Sequence, residues 1–269
     1  MLSLFLIKLF VAVGVVVLLS IIAEHVSPKM AGILSGYPTG SAISLFFFGL
    51  EQGTQFAADS AVYNMIGLVA MMSFIYFYYR SSSYFSKFNI VLSSIVSIFG
   101  YFVVIWLLHF IKLNKFIAVL IPIISMIIFI YLFKEIQNIK IRNKIKITHS
   151  VLFLRAFFAA CIILTVIGTA KLVGPTWAGL FSAFPTTLFP LIVIVHFTYD
   201  TKHVHTVIKN VPIGIGSLIL YSLTISIVYP LFGIYIGTII SFIVATVYIF
   251  LFQFIQKRVK RKSRHVSRS

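Results

Sequence analysis

Few side chains in this sequence are equipped for chemistry, and they are scattered. The five acids are Glu24, Glu51, Asp59, Glu135 and Asp200. All fall near the ends of apolar runs or between them, whereas a carboxylate carrying a proton or sodium through a membrane sits within a span. Glu51 and Asp59 flank one polar loop and are read as solvating it, with gating of a cation path as the alternative. Asp200, His203 and His205 lie close together, but i, i+2 spacing turns two imidazoles to opposite sides of a helix and no fourth ligand is in sight. No metal site is expected. His196 ends an apolar run and is read as an interfacial residue, with a proton relay as the alternative. The single cysteine, Cys161, makes no disulfide within the chain and no thiolate metal site, and is expected to pack in the core. There is no nucleotide-binding loop, nucleophile elbow or zinc-helix motif. Neither enzyme activity nor a cofactor is expected, with a lipid-modifying enzyme as the exception left open.

The distinctive chemistry belongs to the main chain. Ala31-Gly32-Ile33-Leu34-Ser35-Gly36-Tyr37-Pro38-Thr39-Gly40 puts a proline, glycines and hydroxyls inside an apolar run. Ala178-Gly179-Leu180-Phe181-Ser182-Ala183-Phe184-Pro185-Thr186-Thr187 repeats it without a gap, 147 residues on (185 − 38). The same offset carries Gly67 onto Gly214, Thr54 onto Thr201 and the basic residue Lys8 onto Arg155, as an internal duplication would. Proline within a helix lacks an N–H donor and clashes with the carbonyl one turn back, so each segment should break its helix. In lipid the freed backbone groups need partners. One such break is ordinary packing, since proline and glycine are common in membrane helices. Two at the same register point to a midplane binding site between interrupted helices. The residues expected to build it are Ser35, Gly36, Pro38 and Thr39 from the first copy and Ser182, Pro185, Thr186 and Thr187 from the second.

The rest of the chain must hold these breaks in a bilayer. Of 269 residues 60% are hydrophobic and 10% charged, with a mean hydropathy of +1.08. Soluble domains carry about 25% charged residues. Apolar runs recur at helical length and lack the alternation of a membrane barrel, so the fold class is all-α integral membrane. About nine spans are expected: Leu2–Ile22, Met30–Leu50, Ala61–Tyr79, Phe88–His109, Phe116–Phe133, Val151–Leu172, Pro175–His196, Val211–Tyr229 and Leu231–Phe254. Polar loops are placed at Ser81–Ser83 and Tyr199–Asn210. The first membrane repeat is 1–110, a linker helix and basic loop 111–149, the second repeat 150–255 and a basic tail 256–269. Because one linker span separates the four-helix repeats, the second enters the membrane inverted.

The net charge of +17 is concentrated between spans and in the tail, where cytoplasmic loops of membrane proteins collect Lys and Arg. That distribution argues for anionic headgroups as a partner rather than nucleic acid. With the tail and the Lys134–Lys146 linker cytoplasmic, the N-terminus lies outside the inner membrane. No basic region precedes the first run and Lys8 interrupts it, so that run is expected to stay as a span. Lys8 and Arg155 are read as snorkelling to headgroups, or as drawing an anion if they face the bundle.

Around Ala178–Thr186 the sequence resembles the GlpM-type small bacterial inner-membrane proteins, which carry a comparable Ala-Gly…Phe-Pro-Thr stretch in a chain of a few spans. The first copy, continuing through Phe46-Phe47-Phe48-Gly49-Leu50-Glu51-Gln52-Gly53, is similar to bacterial membrane proteins with Leu-Glu-Gln-Gly after the break. It departs in having Tyr37 where the second copy has Phe184, and Gly40 in place of Thr187. The resemblance implies an inner-membrane location and names no substrate. The function expected is a secondary transporter or facilitator for a small solute, with an anion or amphipathic molecule preferred because buried acids are lacking while Lys8 and Arg155 are available. A non-transporting scaffold and a lipid-handling flippase or enzyme are the alternatives.

Overall fold

The computed structural model describes residues 7–11, 13–15, 27–111, 114–139 and 149–266, with side chains at 149–152, 154–155, 256–257 and 259–266 excepted. The fold is all-helical, 88% helix, with no strand among the described residues. In chain order the helices are α1 (Pro28–Ser35), α2 (Gly40–Gln52), α3 (Thr54–Tyr84), α4 (Asn89–His109), α5 (Lys115–Leu132), α6 (His149–Ser182), α7 (Leu188–Thr198) and α8 (Thr201–Val266). Residues 7–11 and 13–15 are also helical; the remainder of the expected first span lies outside the described residues.

Local chemistry explains the boundaries. Pro28 opens α1 behind the Ser27 hydroxyl, which caps the Met30 amide. Asn114 caps α5 in the same way through Ile117. Gly174 in α6 and Gly233 in α8 have φ of +75°, a conformation that costs other residues a backbone–Cβ clash, and there each long helix bends into two.

Six stretches of the described chain are long and apolar enough to cross a membrane: Pro28–Gln52, Thr54–Tyr84, Asn89–His109, Lys115–Leu132, Ala156–Ser182 and Thr201–Ile255. Two of the six run through the bends at Gly174 and Gly233: one joins the expected span Val151–Leu172 to the first part of Pro175–His196, the other joins Val211–Tyr229 to Leu231–Phe254. α3 is the central element, packed against α4, α6 and α8, whereas α5 is mostly exposed. The outer faces carry exposed Phe99, Trp106, Ile127, Tyr235, Ile239 and Phe250. A band this apolar and extensive is a lipid-facing surface, not a water-facing one. The chain is a multi-pass membrane protein.

Three expectations are corrected. Cys161 is exposed on α6 rather than packed in the core. Ser81–Ser83 belongs to α3, because each hydroxyl bonds a carbonyl in its own preceding turn and needs no loop to satisfy it. Thr201–Asn210 is the first part of α8 rather than a loop. Its polar side chains are used to hold the segment after α5: Lys209 donates to the Lys134 and Ile136 carbonyls, and Asn210 to Asn138. The rest of the basic linker, 140–148, lies outside the described residues.

Candidate functional site

Both Pro-Thr segments break their helices. α1 stops at Ser35 and α2 begins at Gly40; α6 stops at Ser182 and α7 begins at Leu188. Within each break the chain makes the same tight turn around proline. The Thr39 amide donates to the Tyr37 carbonyl at 2.8 Å, and the Thr186 amide to the Phe184 carbonyl at 2.7 Å.

The two breaks meet. Thr39 Oγ1 donates to Thr187 Oγ1 at 3.4 Å, and Ser41 Oγ donates to the Ser182 carbonyl at 2.9 Å. Gly40 lies so close to Thr186 that a Cβ there would overlap the threonine hydroxyl. Ser35, Gly36, Pro38, Thr39, Ser182, Pro185 and Thr186 are buried and Thr187 is half-buried. Ser35 does not face across the break: its hydroxyl bonds back to the Ala31 carbonyl at 2.7 Å. The Ser182 hydroxyl likewise donates to the Gly179 carbonyl at 2.7 Å.

Close main-chain contacts hold the breaks in register. On α8, Gly32 meets the Val207 carbonyl and Gly36 meets Gly214. On α3, Gly179 meets the Ser60 carbonyl and Ala183 meets Gly67. At Gly36, Gly32 and Gly179 a Cβ would sit on neighbouring backbone, so helices approach here as only small residues allow.

A buried amide stands beside the crossing. Asn64 of α3 is fully buried and donates from Nδ2 to Ser182 Oγ at 2.7 Å and Ser41 Oγ at 3.1 Å. Its Oδ1 accepts from Ser222 Oγ at 2.7 Å. One side chain therefore ties α2, α3, α6 and α8 together. The sequence held a signal for it, since Asn64 is the one amide in the apolar stretch Ala61–Tyr79. Ser222 has no such signal, because single serines are frequent in membrane helices.

No protein family, curated protein or solved structure matches this chain.

The charged candidates lie apart from the crossing. Lys8 pairs with Glu51 in the last turn of α2 and also lies 6.0 Å from the Phe47 ring. Its charge is thereby matched instead of facing the breaks. The Arg155 side chain lies outside the described ones. Asp59 accepts from Gln55 at 2.9 Å on the exposed side of α3.

A second polar group gathers where α7 meets α8. His196 Nδ1 is 3.0 Å from Tyr78 Oη and its Nε2 3.0 Å from Thr201 Oγ1. His205 Nε2 is 2.9 Å from Ser82 Oγ. Asp200 accepts from the His203 amide at 2.9 Å, with His203 Nδ1 at 2.7 Å. Partial burial pushes the Asp200 carboxyl up, but the hydrogen bonds and charge of His203 outweigh it and hold the group below its ordinary value. His205 turns away to Ser82, so these side chains do not converge on a common point. Among the described residues no group of three or more His, Cys, Asp or Glu is placed to hold a metal ion.

Proposed function

We propose that this protein is a secondary transporter or facilitator whose small solute binds where the two broken helices meet. The observation that carries this reading is the 3.4 Å approach of Thr39 and Thr187. It brings main-chain ends from two sequence-related segments together inside an apolar protein. Interrupted helices that meet in this way are where carriers bind their solutes.

The accompanying architecture is about nine spans, arranged as two inverted four-helix repeats around the linker helix α5. Contacts repeated at a constant spacing support it. Gly32 against Val207 has its counterpart in Gly179 against Ser60, and Gly36 against Gly214 in Ala183 against Gly67. Each partner is 147 residues from its equivalent (179 − 32; 207 − 60; 183 − 36; 214 − 67). Pro28 and Pro175 open corresponding helical segments at the same interval. The proposed location is the bacterial inner membrane, as the resemblance to GlpM-type proteins suggests. The proposed topology has the N-terminus outside, with the basic linker and tail at the anionic cytoplasmic surface.

A second reading is favoured by the closure of the Asn64 hydrogen bonds: the crossing is a packing device in a non-transporting scaffold. Water access separates the two. With Cys161 replaced by alanine, single cysteines are placed at Ser35, Thr39, Ser182 and Thr186 and exposed to a small soluble thiol reagent. A carrier gives labelling at Thr39 and Thr186, and Pro38→Ala and Pro185→Ala variants lose solute flux in proteoliposomes. Four silent cysteines together with unchanged flux would sink the carrier reading.

A further inference from the structure

α2 and α7 both begin at the crossing, and neither start is capped. Thr39 and Thr187 occupy the capping positions, yet neither side chain accepts from a backbone amide. The amides of Gly40, Ser41 and Ala42 in α2, and of Thr187 and Leu188 at the start of α7, have no acceptor among the described residues. All but Thr187 of these residues are buried. A buried helix end needs partners for these groups, in lipid above all. Thr186 is a second and independent sign. It is 5% exposed, its hydroxyl makes no hydrogen bond among the described residues, and it faces Gly40 at the start of α2. Donors therefore converge on one place from two main-chain ends and one side chain, and the acceptor is missing.

Charge identifies the missing acceptor. Each helix start carries about half a positive charge. The α1 and α6 ends in the same breaks carry the opposite sign, but their Ile33, Leu34, Gly36 and Ser182 carbonyls already accept hydrogen bonds, whereas the α2 and α7 amides have no partner among the described residues. No acid opposes them. Glu51 is at the far end of α2, about 16 Å away along the helix, and is already paired with Lys8. Asp200 lies beyond the far end of α7 and is held by His203. No lysine or arginine belongs to either break, and guanidinium or ammonium groups are what phosphate sites ordinarily use. We propose that the crossing binds a small monoanion, such as a carboxylate or nitrate, between the α2 and α7 N-termini with Thr186 as a hydroxyl donor. This rests on the reading of the crossing as the solute site and gives that solute its charge. Gly40 is essential to it, because a methyl group there would overlap the Thr186 hydroxyl and displace it.

The test uses the full chain purified in detergent in a dilute buffer free of carboxylates and other small monoanions. Nitrate, acetate, sulfate and acetamide, the uncharged analogue of acetate, are titrated while thermal unfolding is followed. Proteoliposome flux of nitrate and acetate is measured alongside. Nitrate and acetate should raise the unfolding temperature saturably, acetamide should not, and sulfate should act more weakly. Thr186→Val should raise the half-saturating concentration about tenfold, the loss of one hydrogen bond to a charged group, with the anion-free unfolding temperature unchanged. Thr186→Ser should bind as the parent does, and Gly40→Ala, which sets a methyl group against the Thr186 hydroxyl, serves if Thr186→Val does not fold. No saturable response, an equal response to acetamide, or unchanged affinity in these loss-of-site variants overturns the anion site. If such a failure is accompanied by proline-dependent flux of a neutral solute, the carrier reading survives without it. If binding behaves as stated but no flux appears, the anion site stands and the carrier reading fails.

Discussion

Replacing Asn64 by leucine should reveal how much of the bundle is held at the crossing. The change keeps the side-chain volume nearly constant but removes two donated bonds, to Ser41 and Ser182, and one accepted from Ser222. Interhelical hydrogen bonds in membrane proteins average about 0.6 kcal/mol each, which gives about 2 kcal/mol for the set. The losses are unequal in kind. Ser41 still donates to the Ser182 carbonyl and Ser182 to the Gly179 carbonyl. Ser222 has Asn64 as its only acceptor among the described residues, and stranding a buried hydroxyl costs about 1–3 kcal/mol. The expected total is about 3–5 kcal/mol. It should be read from unfolding by sodium dodecyl sulfate, followed through Trp106 and Trp177 fluorescence. A double-mutant cycle makes the test sharper. Ser222→Ala in the parent should destabilise by about 1 kcal/mol. In the Asn64→Leu background it should stabilise by a similar amount, because it removes the stranded hydroxyl. A loss below about 0.5 kcal/mol for Asn64→Leu, the usual scale of a surface change, would refute the argument. So would the same sign for Ser222→Ala in both backgrounds.

The same unfolding assay should separate the glycines. Gly36→Ala forces a methyl group onto the Gly214 backbone and should lose about 2–3 kcal/mol, whereas Gly168→Ala, with open space around it, should gain about 0.5–1 kcal/mol. Gly174→Ala also meets no neighbour, so its expected loss of about 1–3 kcal/mol is purely that of a positive-φ backbone conformation essentially confined to glycine. Lys8→Met and Glu51→Gln should each cost about 3 kcal/mol by leaving a partly buried charge unpaired, and the exchange Lys8→Glu with Glu51→Lys should recover most of it. Asp200 should contribute stability that is present above its unfolded value, about 3.9, and is lost as pH falls through its lower folded value. Asp200→Asn should therefore lie below the parent in stability at pH 5 and converge with it near pH 2.

What could be read from sequence followed from residues out of place in their surroundings. Pro38 and Pro185 interrupt apolar runs in matching contexts, so the breaks and their register were legible. Where the breaks went in space was not, because a duplication does not say that its copies touch. Lys8 and Glu51 stand 43 residues apart (51 − 8) and nothing in composition pairs them. The segment from Tyr199 to Asn210 reads as a loop by its Asp, Lys and His content, yet Val204, Val207, Ile208 and Val211 are spaced as one helix face and are all buried. From Thr201 it is helical, with that face inward and Lys209 and Asn210 clasping the stretch after α5 instead of water. Cys161 misled in the opposite sense. In a soluble protein an apolar surrounding sequence means the interior; in lipid it is equally compatible with the outer face.

The same physics sets conditions on any rocking of one half of the bundle against the other. The contacts of α1 with α8, and of the end of α6 with α3, are main chain on small residues. Such surfaces offer few interlocking side chains to resist a slide. Directional resistance comes from hydrogen bonds: those of Asn64, which span four helices, the Thr39–Thr187 contact, Ser41 to the Ser182 carbonyl, Ser217 to the Gly36 carbonyl, Tyr37 with Thr246 and Tyr101 to the Leu180 carbonyl. At about 0.6 kcal/mol per bond the Asn64 set is worth about 2 kcal/mol, or a population ratio of about thirtyfold. On the proposed carrier reading, that is enough to keep the crossing closed at rest and small enough for a bound anion to repay with bonds to the unsatisfied amides. A latch of this size would then make the closed arrangement a ground state without making it a dead end.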